Sequence, residues 1–292
     1  MSQAAQRNKQ ARADYRCWLQ GSLIVLAILV VVRLVLEIAG VPGGVTRFVS
    51  STVAMLLAAL YLGAVAPLRG VKKFVQLILP AVVVAAWTVG WIILATLVSG
   101  VFRLERSHFA EREDYGNWGH LGRHIFGHVV EIGIFAVVIL ILMAVPFLLR
   151  RWPVTVGPAA LLGALVIVRY WVEAMGLEPW RASAWSSTVG VLLCGFYLGG
   201  IGPRLGDATP KQLLAPALAL GWTWRLWVFV ATVFAALVPF YKTHFFDPST
   251  GNVPIRLARF LGASVVEGFI AGLIVWGIAV WIARATRSVT EA

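Results

Sequence analysis

Two histidines and a glutamate share one face of a predicted helix. His124, His128 and Glu131 follow the spacing i, i+4, i+7, which returns to the same side of a helix. Imidazole nitrogens and carboxylate oxygens are ligands for zinc-type ions, so this stripe predicts a single metal ion bound by the three side chains. Haem is disfavoured, because it needs two facing imidazoles from different helices and only His128 lies well inside an apolar run.

A second feature is a pair of carboxylates deep inside apolar runs. Glu131 lies about seven residues and Glu267 about ten residues inside its run, on the order of 10–15 Å along a helix. A charge at that depth is costly in lipid, so each carboxylate should face the protein interior and pair with a cation. We expect Glu131 to pair with Arg33 and Glu267 with Arg169, each on the first helix of its own half of the chain. Such pairs either form a functional site or only fix helix register.

Two arginine–glutamate pairs are predicted at the ends of helices. Arg33 and Glu37 are four residues apart, and Arg169 and Glu173 repeat that spacing. Residues four apart share one helix face, so each pair can form an ion pair within its helix. The two pairs are either binding groups or ion pairs whose long side chains reach the membrane interface.

Three more polar residues complete the predicted binding set. Ser51 and Ser187 each open the second helix of a half, where a hydroxyl caps free backbone N–H groups or faces a neighbouring helix. Arg225 stands in the middle of the seventh run with Trp224 beside it, so a cation–π contact can shelter the guanidinium. The alternative is that Arg225 attracts an anionic group into the bundle.

The elements that must position these residues are eight apolar runs of membrane-spanning length. The 292-residue chain is 60% hydrophobic, has a mean hydropathy of +0.83 and is only 13% charged, whereas soluble domains carry about 25% charged residues. This excludes a soluble globular protein, and the absence of alternation excludes a β-barrel. The net charge of +12 is spread between the runs, which excludes a nucleic-acid surface. The runs cover residues 18–40, 49–67, 74–101, 124–149, 156–176, 185–202, 212–238 and 257–283.

Lysine and arginine are distributed unequally between the two sides of these runs. If the basic N-terminal segment is cytoplasmic, its side collects thirteen cations and three acids, and the other side nine cations and six acids. The positive-inside rule then places both termini in the cytoplasm, in a membrane of the bacterial inner-membrane type. The arginine–glutamate pairs would lie near the outer leaflet, below a polar outer loop at 102–123 that is either a lid or a solvated loop.

The two halves of the chain match each other at an offset of 136 residues. About 30 of the 104 positions from Val32 to Phe135 are identical without a gap, where composition gives on the order of ten. The matches include Arg33, Glu37, Ser51, His108 and Glu131, with Arg169, Glu173, Ser187, His244 and Glu267. We interpret His108 and His244, each followed by phenylalanine, as interfacial anchors of the outer loops.

This match predicts an all-α integral membrane protein of two tandem four-helix units. Four spans per unit give both copies the same orientation, related by a pseudo-two-fold axis along the membrane normal. The predicted segments are a cytoplasmic basic tail (1–17), the first unit (18–151), the second unit (152–284) and a cytoplasmic tail (285–292).

These features favour a transporter or ligand-binding membrane protein. Charged residues inside a membrane cost free energy, so a duplicated charged cluster is not expected in a protein that serves only as a membrane anchor. The expected partners are the lipid bilayer and an anionic or lipid-like ligand. One alternative is a metal-dependent membrane enzyme or redox protein, and another is a non-catalytic subunit or scaffold that contacts partner proteins in a membrane complex. The chain has no glycine-rich nucleotide loop or serine-hydrolase elbow.

Overall fold

A computed structural model of the chain describes residues 3–205, 209–237, 243–246 and 252–290, with side chains from residue 18 to 204 and, in the later ranges, up to 286. Within these ranges the chain consists of helices, turns and one isolated antiparallel bridge between Thr243 and Phe246. The α-helices are α1 (Gln3–Ile38), α2 (Gly43–Thr46), α3 (Ser51–Val65), α4 (Ile78–Val101), α5 (Trp118–Leu148), α6 (Pro153–Ala174), α7 (Ser187–Ile201), α8 (Pro210–Leu237) and α9 (Val253–Thr290).

Eight segments of the described chain are long and apolar enough to cross a membrane, which confirms the predicted eight-helix membrane class. Many of their large apolar side chains are exposed, including Val25, Leu79, Leu193 and Phe234. Exposed apolar side chains on such helices face lipid rather than water. The eight segments are Trp18–Ile38, Gly43–Arg69, Phe74–Val101, Trp118–Arg151, Pro153–Ala174, Ala182–Arg204, Pro210–Leu237 and Val253–Thr286.

Several helix ends differ from the sequence-based boundaries. Helix α1 begins at Gln3, so most of the predicted N-terminal tail has helical backbone, and α9 continues to Thr290. Residues 1, 2, 291 and 292 of the predicted tails lie outside the described residues. Helix α5 begins at Trp118 rather than 124, because the Asn117 side chain accepts the backbone N–H of His120 and caps the helix. This extension adds His120 to the helix.

The chain divides into a first unit, Met1–Ala144, and a second unit, Val145–Ala292. In the first unit α1 packs against α3 and α4, and in the second α9 packs against α7 and α8. The tandem, parallel arrangement of the two units stays a prediction.

Each unit contains a very close helix crossing at a glycine, 136 residues apart. A β-carbon on Gly63 would lie 2.3 Å from the Met143 carbonyl oxygen, and one on Gly199 would lie 2.5 Å from the Ala279 carbonyl oxygen. At both positions the nearest atom belongs to the backbone and cannot rotate away. Glycine is therefore required at both positions for the helices to approach this closely.

Gly199→Ala should lower the stability of the protein by roughly 1–3 kcal/mol, because the added methyl group forces α7 and α9 apart. Gly200→Ala is the matched control, since a β-carbon there meets no atom within 4 Å and gains up to ~1 kcal/mol in helix propensity. Thermal unfolding of both variants in the same detergent checks this. Equal Tm values would contradict the close crossing.

Candidate functional site

A buried carboxylate at the end of α1 collects three donors. Glu37 is only 4% exposed. Arg33 Nε donates to its Oε1 at 3.2 Å, and the backbone N–H of His108 donates to Oε2 at 3.1 Å. The His108 Nδ1 lies 2.7 Å from Oε1 and 2.8 Å from Oε2. Because an ionised carboxylate only accepts hydrogen bonds, the Nδ1 carries the proton.

The end of α6 repeats this arrangement. Glu173 is 2% exposed. Arg169 Nε donates to its Oε1 at 3.1 Å, while the His244 backbone N–H at 2.8 Å and the His244 Nδ1 at 2.7 Å both reach Oε2. We call each set of arginine, glutamate and histidine an outer triad. All six residues are equivalent at the 136-residue offset, and in both units the histidine follows the glutamate by 71 positions.

The arginines and glutamates of the triads belong to the predicted site, but the two histidines do not. Because His108 and His244 recur in both halves and are each followed by phenylalanine, the sequence alone predicts loop anchors at these positions. The signal that joins them to the site was present, since they recur in the same register as the arginines and glutamates. Their side chains do hold the loop to the helix, but they do so through the carboxylate.

A shared helix ending positions both glutamates. At the end of α1, the N–H of Gly40 donates to Glu37 O at 3.0 Å and the N–H of Val41 to Leu36 O at 3.0 Å. At the end of α6 the corresponding bonds are 2.9 and 3.0 Å long. This pair of backbone hydrogen bonds forms a Schellman motif, in which the residue at the turn has a positive φ. Gly40 (φ +82°) and Gly176 (φ +94°) fill that position.

The loop between α4 and α5 positions His108. Ser99 and Ser107 share a hydroxyl hydrogen bond of 2.8 Å, and the backbone N–H of Phe109 donates to the Ser107 hydroxyl at 3.2 Å. The Phe109 ring packs into a small core with Val30. His108 therefore sits between two anchored residues, which aims its ring at Glu37.

A pocket of about 310 Å³ opens beside the first triad. Its charged side chains are three arginines, Arg33, Arg47 and Arg106, and one carboxylate, Glu37, so the charge sum is +2 with His108 neutral. The full lining is Arg33, Glu37, Gly40, Val41, Gly43, Thr46, Arg47, Arg106 and His108.

Two of these arginines have no carboxylate partner among the described residues. Neither Arg47 nor Arg106 is within ion-pairing distance of a carboxylate in the described part of the chain. Arg106 lies across the backbone of Gly40, where an added β-carbon would be only 2.5 Å from its Nη1. Burial lowers the pKa of His108, and the Glu37 hydrogen bond only partly opposes this. The pocket is therefore positive mainly through its arginines.

A second histidine cluster lies further along the same loop. Asp114 accepts from His120 Nδ1 at 2.6 Å, from His124 Nδ1 at 2.8 Å and from the Glu111 backbone N–H at 2.8 Å. Burial alone would raise the pKa of Asp114, but the donated hydrogen bonds outweigh it and hold the pKa at about 2. This cluster ties the loop to the start of α5.

The predicted partners of the two deeper carboxylates are wrong. Glu131 lies 2.8 Å from His128 on its own helix, and Glu267 lies 2.7 Å from Arg225 on α8. The expected partners, Arg33 and Arg169, are instead paired with the glutamates of the outer triads. The two carboxylate side chains are also 45% and 50% exposed, so they are not enclosed in the protein interior.

Arg225 is held by several contacts within the second unit. Besides Glu267, its Nη2 donates to the Ser264 hydroxyl at 3.3 Å. Its guanidinium carbon lies 5.2 Å from the ring centre of Trp224 and 5.0 Å from that of Phe260, which gives the cation–π contact expected from the sequence.

The structure gives the predicted metal site no support. Among the described residues no group of three or more histidine, cysteine, aspartate or glutamate side chains is arranged to hold a metal ion. The Nδ1 atom of His124 is bonded to Asp114, and that of His128 to Glu131.

The two predicted serines lie away from the pocket lining. Ser51 and Ser187 are both buried. The Ser187 hydroxyl accepts the indole N–H of Trp224 at 3.0 Å, and the cap of α3 comes from the neighbouring Ser50. The Ser187 hydroxyl therefore joins α7 to α8.

No protein-family model matches the chain, and no curated protein or solved structure is significantly similar to it. The geometry of the site therefore carries the functional argument.

Acid should weaken the attachment of the loop through Asp114. Because its pKa lies below the ordinary value of 3.8, this carboxylate stabilises the fold above about pH 4. The contribution, of order 2 kcal/mol, is lost as the pH falls towards about 2. Asp114→Asn should remove this part of the acid dependence, measured as Tm against pH in detergent. An unchanged profile in the variant would contradict the clamp.

Glu267→Gln should destabilise the protein more than Glu131→Gln. The first change leaves Arg225, whose side chain is 10% exposed, without its carboxylate. We expect a loss of roughly 1–3 kcal/mol, below the usual cost of breaking a buried pair because Glu267 is half exposed. Glu131 faces an imidazole that can stay neutral, so its loss should cost less. Thermal unfolding of both variants tests the order, and the reverse order would contradict it.

Proposed function

We propose that the protein is a transport or ligand-binding membrane protein whose first unit binds an anionic ligand in the pocket beside Arg33, Glu37 and His108. The observation that supports this proposal is that Arg47 and Arg106 line the pocket and have no carboxylate partner among the described residues. In the triad beside them, Glu37 is already paired with Arg33 and His108. Guanidinium groups bind carboxylate and phosphate through two parallel hydrogen bonds.

The hydrogen bonds of the triad leave the other arginines of the pocket available to such a ligand. Glu37 holds Arg33 and His108 in place, and its negative charge is balanced by Arg33. An incoming anion would therefore find two positive groups, Arg47 and Arg106, that have no carboxylate partner in the described part of the chain. A volume of about 310 Å³ lies at the small end of the usual range for ligand pockets. The proposed ligand is a small anion or the anionic headgroup of a lipid.

The second unit supports a division of roles. Its triad is complete, but Ser183 stands where the first unit has Arg47. The counterpart of Arg106 is Lys242, which lies outside the described residues. We propose that anion binding belongs to the first unit and that the second unit keeps the same scaffold.

The location of the pocket follows from the proposed topology. With both termini in the cytoplasm, the ends of α1 and α4 face away from the cytoplasm, in an inner-membrane setting. A ligand would then enter from the outer side, and transport would carry it between the two faces.

Arg47→Ser and Arg106→Gln should each weaken the binding of inorganic phosphate by about tenfold, because each removes one charge-assisted contact of the order of 1.5 kcal/mol. Arg123→Gln is the matched control, an exposed arginine outside the pocket lining. Binding is measured by calorimetric titration of the purified protein in nanodiscs of zwitterionic lipid.

A second titration with nanodiscs that contain phosphatidylglycerol separates a lipid headgroup from a free anion. If the pocket holds the headgroup, this lipid should compete with phosphate in the wild type but not in Arg47→Ser. Folded wild-type protein that binds neither phosphate nor the anionic lipid would overturn the proposal. Equal affinities in all three variants would do the same.

A further inference from the structure

The ring of His108 has a second nitrogen that the first outer triad does not use. Its Nδ1 and its backbone N–H are both bonded to Glu37, whereas Nε2 has no hydrogen-bond partner in the described part of the chain. The residue lines the pocket, and its side chain is 42% exposed. The Nε2 atom is therefore available to a ligand that enters the pocket.

The hydrogen bond to Glu37 fixes which ring nitrogen of His108 carries the hydrogen. A neutral imidazole in water can carry its hydrogen on either nitrogen. In the triad, a hydrogen on Nε2 would turn the lone pair of Nδ1 towards a carboxylate oxygen 2.7 Å away, and this carboxylate is paired with Arg33 at 3.2 Å. The hydrogen therefore stays on Nδ1, and Nε2 of the neutral ring accepts hydrogen bonds.

The surroundings of His108 keep its ring neutral near neutral pH. Burial lowers the pKa of His108 below its ordinary value of 6.5, and the positive charge of Arg33 acts in the same direction. The hydrogen bond to Glu37 only partly opposes these two effects. A ligand in the pocket therefore meets an acceptor at Nε2 and not a second N–H donor.

The other polar side chains around the pocket leave few acceptors open. Arg33, Arg47 and Arg106 carry N–H donors and have no acceptor atom. The Glu37 side chain is 5% exposed, and both of its oxygens already accept hydrogen bonds within the triad. Thr46 is only 1% exposed. The accessible side chains of the lining thus combine several guanidinium donors with one imidazole acceptor.

We propose that His108 determines the specificity of the anion pocket, so that the pocket selects an oxyanion that still carries a hydrogen, such as hydrogen phosphate, over one that carries none, such as sulfate. This inference rests on the anion pocket of the proposed function and names its ligand class. The guanidinium groups bind the charged oxygens of either ion. The P–OH group of hydrogen phosphate donates to Nε2, whereas sulfate can only turn an oxygen lone pair towards that of Nε2.

Phosphate and sulfate form a matched pair of probes. In slightly alkaline solution both are mainly dianions of similar size and the same tetrahedral shape, so neither charge nor volume distinguishes them. They differ in one hydrogen. Because a hydrogen bond that involves a charged group corresponds to about tenfold or more in affinity, the wild type should bind phosphate at least about tenfold more tightly than sulfate.

The test is calorimetric titration of the full-length protein with each ion, in nanodiscs of zwitterionic lipid at about pH 7.5. His108→Asn is the informative variant, because its amide can still donate to Glu37 but has no atom at the position of Nε2. It should lose about tenfold in phosphate affinity and little in sulfate affinity. His244→Asn makes the same change in the second unit, for which no anion binding is proposed, and should keep the preference for phosphate.

A measurement on the wild type keeps the proposal testable if His108→Asn does not fold. In ¹⁵N-histidine-labelled protein, NMR distinguishes ring nitrogens with and without a hydrogen. The signal of one hydrogen-free ring nitrogen should shift when phosphate is added and stay unchanged when sulfate is added. The same response to both ions would contradict the proposed hydrogen bond.

Nanodiscs that contain phosphatidic acid distinguish two sources of the same chemical group. The headgroup of this lipid is a phosphate monoester, which can also hold a hydrogen. If the lipid competes with phosphate in the wild type but not in His108→Asn, the pocket takes the headgroup. If it does not compete in either, the pocket takes free phosphate. Either result agrees with the role of His108.

The outcomes separate this inference from the proposed function. Equal affinities of the wild type for phosphate and sulfate would overturn the role of His108 but retain the anion pocket. An undiminished preference for phosphate in folded His108→Asn protein would do the same. Folded wild-type protein that binds neither ion would overturn the anion pocket itself, and this inference with it.

Discussion

A carboxylate buried at the end of a membrane helix must be surrounded by donors, because it has no water to solvate it. Glu37 meets this requirement with a guanidinium one turn earlier on its own helix, and with the backbone and ring of His108 from the following loop. Glu173 does the same with Arg169 and His244. The loop conformation, the Schellman ending of the helix and the shape of the pocket all depend on this bonding. Without the buried carboxylate, the His108 backbone and ring would lose their hydrogen bonds to α1.

Both units surround their buried glutamate with donors in the same way, but they differ in the charged residues nearby. In the first unit the pocket contains two arginines beyond the triad, and α5 carries a row of histidines with carboxylate partners. In the second unit Ser183 replaces one of these arginines, and Arg225 supplies a fixed charge to Glu267. This difference underlies the proposed anion pocket of the first unit.

Polar contacts near the helix ends coexist with very close helix packing further inside. The crossings at Gly63 and Gly199 bring backbone atoms into contact without any polar side chain. In lipid there is little hydrophobic force between helices, so such backbone contacts supply much of the attraction. The helices can then tolerate a costly buried charge at one end.

The sequence by itself determined the membrane class and the eight spans, because long apolar runs are a linear signal. The match between the two halves of the sequence predicts a tandem repeat. The sequence also identified Arg33 with Glu37 and Arg169 with Glu173, whose pairing needs only one helix turn. Tertiary structure decided which side chains from distant segments meet. It brings His108 to Glu37 across 71 residues, pairs Glu267 with Arg225 instead of Arg169, and places the His124 ring against Asp114. Each of these partners depends on how loops and neighbouring helices fold back, and no periodicity within one segment specifies that.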